Sequence, residues 1–531
     1  MSEMDLPTLA KSGDEKIESK CLTPMEEINA ALKECGFGIF HIRLLITSMI
    51  SFVAGVLVSN STSYLLPSAE CDLHMNLVHK GLLNAMPYFG MLCSSVIAGF
   101  LTDTFGRKVF IYFGTGGIFV FTIIAASSQS YTVLVTAKFF EGLLFATSFS
   151  AGLTLTTEFC HKDIRDRVVI CQSSFASLSQ IIIAAMSWSI LINDWHYSFL
   201  DGKFVLNTWN FYLYAMSSWS LAAFVMYIFI PESPKYLVTQ NKFDEARALL
   251  IKIYKENTRN SEDKFPYKDL WKDKVKATSM SEGVDNKKIT IAHQLVIGIR
   301  NIKPMFQKPL ILYLVLICTI NFFVMLLYNV LRLWFPQVST IIEHSNFASA
   351  DQVRQDLCAV LDGYTNHLSL RHEGKNSTAE CTPIKSGDET YINSIIIGCI
   401  CVIPYFVSGM LINKIGKKPL MIVSTLIAFG STTGLRFTDS KTSVVVLFSV
   451  SIAITQMLMS LNQAYIFEFF PTTSRTLAVS MVLLSGRIGT LIGNISFPVL
   501  LNMGCVFPFY TLSGTMLFVA MLSLLMPLKK K

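Results

Sequence analysis

GFLTDTFGRK at residues 99–108 and GMLINKIGKK at residues 409–418 share one pattern of glycines, an acidic or amide residue and a final basic pair. The two stretches are offset by 310 residues (409 − 99). Two further pairs show the same offset, Glu158 with Glu468 and Arg165 with Arg475. Since glycines, basic pairs and a Glu-to-Arg spacing all recur at one offset, the sequence predicts two homologous halves.

Long apolar runs surround these stretches. Of the 531 residues, 52% are hydrophobic and 15% are charged, whereas a soluble domain carries about 25% charged residues. A helix that crosses the hydrocarbon core needs about 20 mostly apolar residues. Twelve runs are candidates: Leu44–Leu66, Gly81–Leu101, Val109–Ser128, Val133–Thr157, Val168–Ile192, Phe211–Ile230, Leu310–Leu331, Tyr391–Ile412, Leu420–Leu435, Val444–Phe467, Thr476–Leu501 and Phe507–Leu528.

The predicted fold is therefore an all-α polytopic membrane protein, with twelve transmembrane helices in two pseudo-symmetric six-helix bundles. The predicted segments are a cytosolic tail (1–38), an N-terminal bundle (39–230), a cytosolic linker (231–308), a C-terminal bundle (309–528) that includes an outer loop (337–390), and a cytosolic tail (529–531).

Charge in the short loops sets the predicted orientation. With the polar N-terminal tail inside, the short cytosolic segments contain most of the Lys and Arg residues of the short loops, and the short outer segments contain only Lys80, Lys203, Arg436 and Lys441. Short loops rich in positive charge stay on the cytosolic side, so both termini are expected there. The formal net charge of +7 is explained by this bias and does not indicate nucleic acid as a partner.

The cytosolic linker contains apolar residues at helical spacing between charged ones: Phe243, Ala246, Leu249, Leu250 and Ile253. This pattern predicts an amphipathic helix under the bundle.

The outer loop contains Cys358, Cys381 and the sequon Asn376-Ser377-Thr378. On the outer side these residues predict a disulfide and a glycan. Chance occurrence of a cysteine pair and a tripeptide is the alternative.

The repeated stretches suit cytosolic helix junctions. Glycines permit tight turns and close helix approach, and Asp103 can accept a charge-assisted hydrogen bond from Arg107 or from a neighbouring helix. We predict that the charged set latches the halves in one conformation, with Glu158 near Arg165 or Arg167 and Glu468 near Arg475. Asn413 replaces Asp103 in the second half, which weakens any latch there. The full predicted set is Gly99, Asp103, Gly106, Arg107, Lys108, Glu158, Arg165, Arg167, Gly409, Asn413, Gly416, Lys417, Glu468 and Arg475. The alternative is that these charges only orient the chain in the membrane.

These motifs, together with PESPKYL at residues 231–237, resemble the sugar and organic ion transporter branch of the major facilitator superfamily. YLLPSAE at 64–70 and LWFP at 333–336 are similar to the synaptic vesicle glycoprotein 2 family. The outer loop of about 50 residues is shorter than the large lumenal domain that this family implies, which favours a divergent relative.

Arg487 lies about halfway through its apolar run. An ionised group at that depth costs at least ~2.5 kcal/mol, so it should face a partner or an aqueous cavity. The resemblance to organic ion transporters implies that this arginine faces the central cavity and an anionic or zwitterionic ligand. An ion pair that holds helices together is the alternative.

Other polar and aromatic residues inside the spans complete the candidate site. Lys138 and Glu141 are three residues apart on one helical face and can pair; otherwise Glu141 is the main buried carboxylate for proton or cation coupling. The remaining candidates are Tyr328, Asn329, Trp334 and Gln456, which can contact an organic solute. Simple packing between helices is the alternative for each.

The sequence thus predicts a secondary active or facilitative transporter of a small organic solute, working by alternating access. The solute is expected to be an organic anion or a zwitterion, and the protein is expected to act as a monomer in the plasma membrane or an intracellular vesicle. The alternative keeps the fold without transport: a protein similar to synaptic vesicle glycoprotein 2 that acts in vesicle trafficking or as a receptor. Neither a catalytic motif nor a site for a cofactor or metal is predicted.

Overall fold

The computed structural model describes residues 24–199, 201, 203–267, 270–271, 307–345, 356–373, 384–470 and 472–527. Within these ranges the side chains of 96–105, 162, 166, 170, 173, 369–373, 405, 409, 413, 467 and 472–476 are not described.

Helices account for most of the described chain. The first group is α1 (Pro24–Glu34), α2 (Ile39–Ala69), α3 (Leu77–Phe105), α4 (Arg107–Ala126), α5 (Tyr131–Glu158), α6 (Lys162–Leu191), α7 (Thr208–Ile228), α8 (Pro234–Thr239) and α9 (Phe243–Thr258). The second group is α10 (Leu310–Glu343), α11 (Leu357–Glu373), α12 (Asp388–Ile400), α13 (Ile403–Ile415), α14 (Lys417–Gly434), α15 (Lys441–Phe469), α16 (Thr472–Asn502) and α17 (Val506–Leu524). Short 3₁₀ turns occur at Glu262–Lys264 and Leu435–Phe437.

Twelve membrane spans follow from these helices. Within the described ranges, ten helices are long and apolar enough to cross a bilayer. Helix α3 adds an eleventh span, and α12 with α13 forms the twelfth, which is interrupted at Cys401 and Val402. Pro404 in the first turn of α13 explains the break, because proline has no N–H to continue the hydrogen-bond ladder. The predicted all-helical membrane fold is confirmed.

The internal repeat is visible in the helix boundaries. Helices α4, α5 and α6 begin 310 residues before α14, α15 and α16, respectively. Both α4 and α14 follow a glycine with positive φ, 95° at Gly106 and 91° at Gly416. The two halves therefore repeat one another at turns that are predicted to be cytosolic and that only glycine adopts without strain.

Among the described residues, the most extensive helix contacts between the halves are those of α3 with α16, α6 with α12, and α2 with α10. Close approach of α3 and α16 depends on Gly81, where an added Cβ would lie 2.5 Å from the Asn494 carbonyl oxygen. Small residues at such crossings let helix backbones approach in lipid, where association relies on packing and not on water release.

The predicted amphipathic helix of the linker is present as α9. Its Ala246, Leu250 and Ile253 are fully buried. They belong to an apolar cluster that also contains Ile28 and Leu32 of α1. The segment predicted as a polar tail (1–38) therefore includes a helix that packs on the linker.

The outer side has two structures that the sequence analysis did not predict. Strands β1 (His196–Phe199) and β2 (Phe204–Asn207) form an antiparallel hairpin between α6 and α7. Helix α11 lies in the outer loop, and its Leu357, Leu361 and Leu368 join the core of the C-terminal half.

The disulfide predicted between Cys358 and Cys381 is wrong. Cys358 is bonded to Cys505, which lies in the outer turn just before α17. Because α11 packs on this half, Cys358 at its start is brought beside Cys505, whose amide donates to Asp362 Oδ1 at 2.7 Å. A pairing between residues 147 positions apart has no local sequence signal. Cys381 and the sequon at Asn376 lie outside the described residues.

We predict that the Cys358–Cys505 bond is found in the mature protein and stabilises it. Non-reducing peptide mapping by mass spectrometry should recover these two cysteines in one linked peptide. Replacing both by serine should lower stability by about 2–4 kcal/mol, because the bond restrains the unfolded chain. A linked Cys358–Cys381 peptide would contradict the structure.

Candidate transport pathway and gating contacts

Helix α10 carries the centre of the candidate site. Tyr328, Asn329 and Arg332 lie in two successive turns of this helix. The Arg332 guanidinium carbon is 4.8 Å from the Tyr328 ring centroid. Its nitrogens donate to the Tyr328 hydroxyl at 3.1 Å, Asn329 Oδ1 at 3.2 Å and the Tyr88 hydroxyl of α3 at 3.3 Å. Arg332 thus connects the two halves through neutral groups.

Sequence reasoning missed Arg332, because the apolar run of this span was ended one residue before it. The observed helix continues to Glu343, so the arginine lies well inside the helix. The sequence itself indicates that Arg332 lies inside the span, since Leu333-Trp334-Phe335 continues the apolar pattern after it.

A small cavity lies beside Arg332, between the halves. Its polar lining is Tyr64, Gln180, Tyr328, Arg332, Ser394 and Gln456. About 30 Å³ of it is open to water, which is enough for about two water molecules. The cavity is thus nearly occluded.

Arg487 reaches the same part of α3 from α16. Its Nη1 donates to the Met91 carbonyl oxygen at 3.2 Å, one turn from Tyr88. Tyr88 and Met91 pack together with Leu333 of α10. Among the residues that the structure describes, neither Arg332 nor Arg487 forms an ion pair with a carboxylate. The ion pair proposed as the alternative role of Arg487 is absent from this part of the chain.

The other site candidates divide into two groups. Tyr328 and Gln456 line the cavity, and Asn329 accepts hydrogen bonds from Tyr88 and Arg332. Trp334 is buried and packs against Phe497 at 5.1 Å between ring centroids, so it supports the wall between α10 and α16.

Lys138 and Glu141 form the predicted pair, with Nζ and Oε2 2.8 Å apart. Lys138 also donates to Ser61 Oγ at 3.1 Å. Both charged side chains are buried, at 1% and 0% exposure. They neutralise each other inside the N-terminal half, which favours a structural role for Glu141.

Two ion pairs related by the repeat form among the residues that were predicted to latch the halves together. Arg107 contacts Glu158 at 3.2 Å, and Lys417 contacts Glu468 at 2.6 Å. Each pair lies within one half, so these charges fasten helices of a bundle and do not join the bundles. The predicted pairing of Glu158 with Arg165 or Arg167 is wrong. Both arginines are exposed to solvent, while Arg107 at the start of α4 reaches Glu158.

Several latch candidates lie where side chains are not described: Gly99, Asp103, Gly409, Asn413 and Arg475. Lys108 donates to the Ile228 carbonyl oxygen at 3.2 Å, and Lys418 donates to the Leu524 carbonyl oxygen at 2.7 Å. These lysines therefore cap the ends of α7 and α17, where a cation is favoured.

Glu232 of the PESPKYL motif has a role that the sequence analysis missed. Its carboxylate accepts the backbone N–H groups of Arg107 at 3.3 Å and Lys108 at 3.1 Å. These amides begin α4, where the helix dipole favours a negative charge. Gly106 leaves room for this contact, because a Cβ there would lie 2.6 Å from Glu232 Oε2.

We predict that Gly106→Ala destabilises the protein more than Gly416→Ala. Both substitutions force alanine into a positive-φ conformation, at a cost of about 1–3 kcal/mol. Only at Gly106 must the helix-capping carboxylate also move, since a Cβ at Gly416 meets nothing closer than Pro419 Cδ at 3.9 Å. Thermal unfolding of the two variants in the same detergent compares them, and equal losses would contradict this role of Glu232.

Further contacts join the halves at the outer end. Trp188 Nε1 of α6 donates to Asp388 Oδ1 of α12 at 2.7 Å, and Lys385 pairs with Asp194. Among residues with described side chains, the hydrogen bonds and ion pairs that cross between the halves lie in the middle of the bundle and at this outer end. The structure is therefore closed at the end that is predicted to face outside.

Twelve spans in two repeated halves, with a polar path between them, define a membrane transporter of the major facilitator type. Residues 41–328 match the family described as "Sugar (and other) transporter", and residues 390–531 match the Major Facilitator Superfamily. The first match covers more than half of the chain, so this protein belongs to the sugar (and other) transporter family.

Among curated relatives, rat synaptic vesicle glycoprotein 2B is 26% identical over 229 residues, which are 43% of this chain and 33% of the relative. Human synaptic vesicle glycoprotein 2A is 25% identical over 235 residues, or 44% of this chain and 32% of the relative. The predicted resemblance is confirmed, and the matches span about a third of the length of these relatives.

Among solved structures, the xylose transporter XylE from E. coli in a partially occluded inward-open conformation is 13% identical, with a TM-score of 0.62. That comparison covers 92% of this chain and 100% of XylE. The nucleoside transporter NupG gives a TM-score of 0.56 at 10% identity, over 92% of this chain and 99% of NupG. At these identities the likeness shows the fold.

Proposed function

We propose that this solute transporter carries a small organic anion or zwitterion by secondary active or facilitative alternating access. The observation that supports it is the pair of arginines, Arg332 of α10 and Arg487 of α16, that reach one stretch of α3. Neither contacts a carboxylate among the described residues.

An arginine within the membrane is costly to insert unless it meets a partner or water. The planar guanidinium offers paired donors that match a carboxylate or phosphate. Arg332 Nε is buried without a hydrogen-bond partner among the described residues, and Arg487 donates to the backbone carbonyl oxygen of Met91. A ligand carboxylate would supply the missing acceptors.

The surrounding side chains suit an organic body attached to that anionic group. Tyr328 presents an aromatic face, and Gln456 and Ser394 add neutral polar groups. The nearly occluded cavity must expand to admit such a ligand, which requires the halves to rock apart on one side. Closure of the outer end means that this conformation would release or accept ligand on the cytosolic side.

Coupling to a cation would have to use a carboxylate near the path. Glu141 is a buried acid inside the N-terminal half, and its Oε1 has no hydrogen-bond partner among the described residues. Its pairing with Lys138 supports facilitative transport or exchange over coupling through this residue.

The membrane in which the protein acts and its orientation there are also proposed. We infer cytosolic termini from the distribution of basic residues, and a plasma or vesicle membrane as the site of action. The match to synaptic vesicle glycoproteins favours the vesicle. The same match supports a second candidate function, a protein of this fold that acts in vesicle trafficking or as a receptor without moving solute.

We predict that the purified full chain in liposomes takes up a radiolabelled organic anion or zwitterion from a screened panel. Arg487→Ala should reduce that flux at least tenfold, because a charge-assisted bidentate contact is lost. Arg487→Lys should restore part of it, since the charge remains while the paired geometry is lost. Arg332→Ala should act in the same direction.

The matched control is Arg247→Ala, because this arginine pairs with Asp244 on the surface of α9, and its flux should equal that of the unmodified chain. Flux that survives both Arg487→Ala and Arg332→Ala would contradict the anion site. Ligand binding without flux would favour the receptor function.

A further inference from the structure

A buried ion pair lies at the outer end of the N-terminal half. Lys80, in the first turns of α3, approaches Glu70, at the end of α2, with Nζ and Oε2 2.6 Å apart. Lys80 is fully buried and Glu70 is 6% exposed. Sequence analysis treated Lys80 only as one of the few outer basic residues.

Two residues of the C-terminal half complete this cluster. Lys80 Nζ donates to Gln337 Oε1 of α10 at 3.2 Å and to the Tyr364 hydroxyl of α11 at 2.9 Å. The Tyr364 hydroxyl donates to Glu70 Oε2 at 3.0 Å and accepts from Gln337 Nε2 at 3.2 Å. Neutral groups of the C-terminal half thus form hydrogen bonds with both charged groups of the N-terminal half.

Tyr364 is held firmly to the C-terminal half. The disulfide from Cys358 and the hydrogen bond that Asp362 accepts from the Cys505 amide tie α11 to the start of α17. Just before α11, Asp356 pairs with Arg436 at 2.5 Å. Partial burial alone would raise the pKa of Asp356, but the Ala359 amide and the Arg436 guanidinium lower it below its ordinary value. Asp356 therefore stays ionised even in a mildly acidic compartment, and its ion pair with Arg436 persists there. Because these contacts fix α11 to the C-terminal half, Tyr364 moves together with that half.

The two halves contribute different groups to this cluster, and this difference suits a gate. The N-terminal half supplies both charged side chains, and the C-terminal half supplies neutral hydrogen-bonding groups. When the halves separate on the outer side, Lys80 and Glu70 remain together in the N-terminal half and gain water. When the halves close, that water is removed, and removing it from two charges is costly unless other groups bond to them. Gln337 and Tyr364 supply those bonds only in the closed state.

We propose that Glu70, Lys80, Gln337 and Tyr364 form the outer gate of the transport path, and that α11 is the rigid arm that carries Tyr364 to it. This inference rests on the proposed alternating access. The gate sets the balance between outward-open and outward-closed states through a small number of hydrogen bonds.

A native cysteine can report the state of the gate. Cys401 is unbonded, buried and lines the central cavity. In sealed, right-side-out membrane vesicles, a membrane-impermeant maleimide added outside reaches it only when the outer end opens. Labelling of a Cys401→Ser variant gives the background from the other cysteines.

Tyr364→Phe removes the hydroxyl and leaves the ion pair inside its own half. We expect the labelling rate at Cys401 to rise about tenfold, because hydrogen bonds to charged groups are lost from the closed state alone. Gln337→Leu should act in the same direction. The matched control is Tyr197→Phe in the exposed strand β1, which should label at the unmodified rate.

The ion pair itself gives an independent test. Lys80→Met removes the ammonium group that pairs with Glu70 and should increase labelling at least as much as Tyr364→Phe. Combining Lys80→Met with Glu70→Met removes both charges, and labelling should fall below that of Lys80→Met alone. Two methionine side chains can be buried in the closed state without the free-energy cost of desolvating a charge. Lys203→Met, at an exposed outer lysine, is the control for loss of charge.

Labelling needs no ligand, so the gate and the transport function can fail separately. Unchanged labelling in Tyr364→Phe and Gln337→Leu would overturn the gate, whatever the flux. Increased labelling in a chain without flux for any solute would retain the gate and reject the proposed function.

Discussion

A bilayer cannot solvate a charge, and every ionised side chain in these spans has to find its partners inside the protein. The charged groups accordingly fall into three kinds. Lys138 and Glu141 neutralise each other within one half. Lys80 and Glu70 also form a pair, but they depend on the opposite half for further hydrogen bonds. Arg332 and Arg487 contact only neutral protein groups among the described residues, and these two arginines define the candidate ligand site.

The repeat explains why the two ends of the bundle differ. At the end that is predicted to face the cytosol, each half has its own copy of one arrangement. A basic residue that follows a positive-φ glycine pairs with a glutamate 51 residues later. Such pairs make each half rigid without joining it to the other. At the outer end the contacts are not repeated, because α11, the hairpin and the Cys358–Cys505 bond are additions to particular loops. Rigid halves that are joined through contacts on one side can rock as bodies.

Sequence reasoning reached the fold because its signals are local or periodic. Apolar runs mark spans, and a constant offset of 310 residues marks the repeat. The same reasoning found Arg487, since a charge in an apolar run is conspicuous. It missed Arg332, which adjoined a predicted span boundary, and it missed Lys80, whose burial depends on Tyr364 and Gln337, more than 250 residues away. It also mispaired Cys358 and Glu158, because a partner in the folded chain is chosen by packing between helices and not by spacing in sequence.

The central claim is that the two halves move as bodies, so that opening one end closes the other. Electron spin resonance can measure this in lipid nanodiscs through distances between labels at two pairs of exposed positions. Residues 203 and 442 form the outer pair, and residues 163 and 414 form the cytosolic pair. In the unmodified chain the account predicts a dominant population with a short outer and a long cytosolic distance. In Gln337→Leu the outer distance should lengthen while the cytosolic distance shortens. If the distances at the two ends changed independently or in the same direction, the claim that the halves move as bodies would be contradicted.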